Sequence, residues 1–95
     1  MFVVVFKFSA NKARAGEHIE AHKAWIARGF ADGVFLMTGS LKPGAGGVVL
    51  AHNISREDLE ARVKADPFVT EDVVSGEILE ISPGRVDERL AFLMG

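Results

Sequence analysis

Ninety-five residues, 48% of them hydrophobic, describe one compact domain with room for a single core and none for a second domain. Eleven basic and thirteen acidic side chains are interspersed to a formal charge of -2, which offers no footprint for a phosphate backbone or an anionic membrane, so nucleic acid and membrane are not expected partners. The absence of cysteine excludes disulfide staples, thiolate nucleophiles and zinc-thiolate sites.

The chain opens on "MFVVVFKF", which Lys7 interrupts and which has neither a basic region before it nor a small-residue cleavage site after it. It is too short to span a bilayer, and a soluble cytoplasmic protein is expected. Phe2 to Phe8 are β-branched or aromatic apart from Lys7, the pattern of a central strand buried on both faces. From about Ala15 to Asp32, Ile19, Ile26 and Phe30 recur at intervals of seven and four, a helical stripe that Gly33 ends.

Val34 to Leu41 and Gly47 to His52 are short apolar runs around "KPGAGG", which predicts two antiparallel strands joined by a hairpin loop. Ser55 before "REDLEARVKA" is a hydroxyl N-cap, and Glu57 and Asp58 in the first turn with Leu59 and Val63 four apart predict a second, shorter helix. Pro67 ends it, because the residue before proline is pushed out of helical geometry. "VVSGEILEIS" predicts the last strand; the tail from residue 84 onward is weakly amphipathic through Val86, Leu90 and Met94.

The order β-α-β-β-α-β predicts an α+β, ferredoxin-like sandwich: a four-stranded antiparallel sheet with two helices on one face and the first and third strands central. Two helices cover only one face of a sheet, yet "FVVVF" and "GVVLA" are apolar on both sides. A homodimer packed through its sheet faces is therefore expected, with the tail across the partner.

Chemistry concentrates in "GEHIEAHKAW", residues 16 to 25. His18, His22 and Trp25 fall together on the border of the buried stripe, His22 nearer the core than His18. Three readings stand: boundary histidines satisfied by a nearby carbonyl, a metal site, or an acid/base group. The metal reading lacks a defined third ligand and the glutamate of the zinc-protease motif, so no metal or other cofactor is expected. The acid/base reading needs a carboxylate to orient the imidazole, and Asp66 in "KADPFV" is the candidate. Aspartate before proline is equally the N-cap and N1 signature of a new helical turn, and both jobs fit on two carboxylate oxygens. In "TGS", Gly39 allows close approach to the backbone and Ser40 offers a hydroxyl; a bulge or strand end explains them as well. Glu57, Asp58, Glu60, Arg62 and Lys64 are a solvated helix face.

"HKAW" from His22, "DG" and "FLMTGS" after it, the glycine-containing hairpin and above all "ADPFV" resemble the YciI-like (YCII-related) family over nearly the whole chain. The seventeen-residue step from His22 to Gly39 is similar to the family's spacing, although serine stands at position 40 where proline is usual there. The resemblance implies a dimeric α/β-barrel related to muconolactone isomerases, with a pocket between helix and sheet. It further implies that His22 and Asp66 are the catalytic pair, whereas His18 matches no functional position. The function implied is a cofactor-independent lyase or isomerase, dehydrochlorinase- or muconolactone-isomerase-like. Trp25, Met37, Gly39, Ser40 and Phe68 are expected to form the wall for a small aromatic or enol-like molecule. The alternatives are a non-catalytic ligand-binding or accessory dimer, and a histidine-aspartate pair that only ties helix to loop.

Overall fold

The computed structural model describes residues 1–94; Gly95, the end of the expected tail, lies outside the described residues. Strand β1 (Phe2–Phe8) leads through a 3-10 turn at Lys12–Arg14 into helix α1 (Ala15–Ala31). Strands β2 (Phe35–Leu41) and β3 (Gly46–Ala51) form the hairpin, helix α2 (Arg56–Lys64) follows, and the short helix α3 (Pro67–Thr70) precedes strand β4 (Val74–Glu80). The four strands pair antiparallel in the order β2-β3-β1-β4, so β1 and β3 are central and the helices pack on one face. No helix among the described residues is long and apolar enough to cross a membrane.

Period-two alternation explains the layering. Phe2, Val4 and Phe6 point to the helix side and are buried with Val49, Ala51, Leu59, Val63 and Phe68 in one core. Val3 and Val5 point the other way and are only partly covered, so β1 is not buried on both faces within one chain. The open face carries the cross-strand row Met37, Leu50, Val3 and Leu79, whose outer members are exposed. The tail folds back on its own chain: Phe92 meets His52 edge-on at 5.6 Å, and Leu90 and Leu93 border a groove with Leu36, Met37 and Leu50.

Helix α1 keeps only part of the stripe that the spacing predicts: Ile19 and Ile26 are partly covered. Phe30 is exposed, and the side buried against the sheet runs through Ile19, His22, Trp25 and Gly29. The reason is close approach at Gly29, where a Cβ would lie 2.1 Å from Cδ2 of Phe35. The helix turns this glycine to the Phe35 ring of β2 and leaves Phe30 outside. Gly46 plays a comparable part in the hairpin: its φ is +131°, and a Cβ there would meet the carbonyl oxygen of Phe6 at 1.9 Å.

Three ties fix α1 against the segment after it in space. The Asp32 carboxylate receives Arg62 Nη2 at 2.9 Å, Trp25 Nε1 donates to the Arg62 carbonyl at 2.9 Å, and His22 meets Asp66 one turn further along.

Candidate active site

Asp66 stands where α2 has ended and α3 begins. Its extended backbone (φ -61°, ψ 126°) suits a residue before proline, and Pro67 takes the first helical position, where a missing N–H is harmless. The side chain turns back to accept the Phe68 N–H at Oδ1, 3.1 Å away, capping the new helix. The same Oδ1 lies 2.8 Å from Nδ1 of His22. N-cap and histidine partner thus share one oxygen rather than dividing the two, while Oδ2 is buried without a partner among the described residues. The Asp66 side chain is 0% exposed and that of His22 16%.

This arrangement selects a tautomer. A carboxylate only accepts hydrogen bonds, so the neutral ring carries its proton on Nδ1 and keeps the lone pair of Nε2. Packing holds the ring plane: Phe68 stacks on it with centroids 3.9 Å apart and planes 3° from parallel, and Trp25 lies at 6.0 Å and 19°. One edge of the imidazole is therefore anchored and its faces are occupied, which leaves the Nε2 edge for chemistry.

His22 lines a cavity of about 330 Å³ between α1 and the sheet. Thr38, Gly39 and Ser40 of β2 form one wall with Gly46 and Gly47 of β3, Phe6, Phe8 and Val74 another, and Ile19, Lys23, Ile26 and Phe68 complete it. Of the expected wall, the structure brings Gly39, Ser40 and Phe68 to His22 but neither Trp25 nor Met37. Trp25 is a core residue, edge-on to Phe6 at 6.1 Å, and reaches the site only by flanking His22. Met37 is on the opposite sheet face, because the register shifts between Phe35 and Met37 and a one-residue slip reverses which face a side chain takes. Space around Gly39 is open, with nothing within 4 Å of a Cβ built there, so no close approach explains it within the chain.

Lys23, Ile26, Thr38 and the aromatic pair Phe6 and Phe8 were not legible as cavity residues. They come from three elements, and only the period-two alternation of β1 hinted that Phe6 and Phe8 share a face. His18 is not part of the lining, and its Nε2 is buried without a partner among the described residues. Among the described residues no three His, Asp or Glu side chains gather as a metal ion would need.

Fold and site together define a class: a four-stranded α+β sandwich whose first helix and sheet enclose a cavity edged by a carboxylate-oriented histidine. A solved structure of the same fold is that of 5-chloro-2-hydroxyhydroquinone dehydrochlorinase (TftG) from Burkholderia phenoliruptrix AC1100, in complex with 2,5-dihydroxybenzoquinone. The two are similar with a TM-score of 0.70 at 14% identity, over 88% of this chain and 96% of that one. At that identity the likeness is one of fold. No family model matches the chain, and no curated protein matches it in sequence.

Proposed function

We propose that the cavity is the active site of a cofactor-independent enzyme of lyase or isomerase type. In this reading His22 is the acid/base group and Asp66 its positioning partner. The observation that supports it is the 2.8 Å contact between Nδ1 of His22 and Oδ1 of a fully buried Asp66, made by a ring that also borders a cavity of about 330 Å³. Nε2 takes a proton from an acidic C–H or O–H of the substrate. The electron pair left behind moves into a new double bond, and either a leaving group departs or the proton returns at another atom. Asp66 steadies the imidazolium formed in between. The mostly apolar wall suits a small aromatic or enol-like molecule, and the likeness in fold to a dehydrochlorinase is consistent with that class.

The functional unit in this proposal is a homodimer closed through the open sheet faces. Exposed Met37, Leu79 and Ile81 on and beside that face support it, since a small domain seldom leaves such a surface uncovered.

A panel of phenolic, lactone and enol compounds, assayed with the wild type and Asp66→Asn, tests the enzymatic reading. Conversion of at least one compound, reduced about tenfold or more in Asp66→Asn, is expected, since removing the ion-pairing charge weakens support for the imidazolium. Saturable binding across the panel without conversion would replace it with the ligand-binding alternative.

A further inference from the structure

The cavity wall carries a charge that the acid/base pair does not use. Its polar side chains are His22, Lys23, Thr38 and Ser40; the other side chains are apolar, and no aspartate or glutamate borders the space. Lys23 is exposed and therefore stands at the mouth rather than the floor. Among the described residues the ion pairs are made by arginines and His22, and none engages Lys23, although Glu20 lies one turn back on the same helix. A cation at the rim of an apolar recess, with no counter-ion among the described residues, gives the recess a preference in charge as well as in shape.

From this we infer that the cavity takes small ring compounds bearing an anionic oxygen, a carboxylate or an ionised phenol, and that Lys23 is the residue that selects for it. The inference rests on the cavity being the substrate site and adds the charge of its ligand. The ring of the ligand lies among Phe8, Ile26 and Phe68, and the ammonium of Lys23 donates to the anionic oxygen where it leaves the recess. Thr38 and Ser40, on β2 across the cavity, supply neutral donors to a second oxygen. Lys23 has no place in proton transfer here; it decides which molecules present themselves to His22.

The test compares 3-hydroxybenzoate with 3-hydroxybenzamide, which has nearly the same shape and no charge at neutral pH. Binding is followed through the His22 ring resonances, which place the ligand in this cavity. The wild type is expected to bind the benzoate about tenfold more tightly, the scale of one charge-assisted hydrogen bond. That preference is expected to vanish in Lys23→Met, to survive in Lys23→Arg, and to shrink with added salt. Lys23 is exposed, so Lys23→Met is expected to melt with the wild type. Equal affinity for both compounds, no binding of either, or a preference that persists in Lys23→Met overturns the inference. These outcomes are equilibrium measurements and do not depend on turnover. A protein that converts nothing therefore leaves the charge selection standing, and loss of the charge preference leaves the acid/base reading standing.

Discussion

At the scale of single residues, Asp66 carries two structural loads as well as a proposed chemical one, and substitutions separate them. Asp66→Ala removes the cap of α3 and the partner of His22, and leaves a small void in the core. A loss of about 2–4 kcal/mol in denaturant unfolding is expected, from a cap worth about 1 kcal/mol together with the buried bond to His22. Asp66→Asn keeps an acceptor for the Phe68 N–H and for Nδ1, and should lose clearly less. Equal losses would mean that the charge, not the acceptor, holds the fold. The two roles of Asp66 were both legible in "KADPFV"; that one oxygen serves both was not, because it depends on how α1 is set against α3.

A second residue-scale expectation concerns acid. The Arg14 guanidinium, first by its hydrogen bond and then by its charge, holds the Glu17 carboxyl below its ordinary range. A carboxyl lowered on folding adds stability above its unfolded pKa and loses it as pH falls through the folded one. Both side chains are more than half exposed, so solvent screens the pair. Unfolding curves of Glu17→Gln and the wild type are expected to overlay at neutral pH, and a shifted midpoint would show that the pair does more than its exposure allows.

At the scale of elements, close approach decides what hydrophobic spacing leaves open. Ile19, Ile26 and Phe30 do define a helix, whose ends fall within a residue of those predicted, but not which side it buries. That choice lies with the contact of Gly29 on Phe35, which no periodicity in α1 reports. Gly29→Ala gains helix propensity of roughly 1 kcal/mol and must displace a buried ring, an overpacking cost of about 1–3 kcal/mol. Net destabilisation is expected in a denaturant melt; a more stable protein would show that α1 can slide. The irregularity between Phe35 and Met37 has the same character: alternation along "FLMTGS" assigns faces only while the register is regular, and its break sends Met37 to the open face. Thr38 then takes the cavity side with Ser40 nearby, which is why the wall was legible in part.

At the scale of the whole molecule, strand order and the single helical layer followed from the succession of elements, and the centrality of β1 and β3 from their apolar runs. The single chain leaves Val3 and Val5 half covered and Leu79 and Met37 exposed, and its own tail borders only part of that face. If two copies close through this surface, Leu79→Asp at the β4 end of the row should give a monomer in sedimentation at concentrations where the wild type sediments as a dimer, because an unpaired carboxylate would be buried at the contact. A wild type that stays monomeric throughout contradicts the dimer.

The proposed activity depends on His22. The most direct measurement is turnover by His22→Gln beside the wild type, on whichever compound of the phenolic, lactone and enol panel the wild type converts, with thermal melts of both. A loss of about 10²–10⁴-fold in kcat without collapse of the fold is predicted, the usual contribution of a positioned acid/base group. Equal turnover by the two proteins, or none by the wild type on any compound, would contradict it.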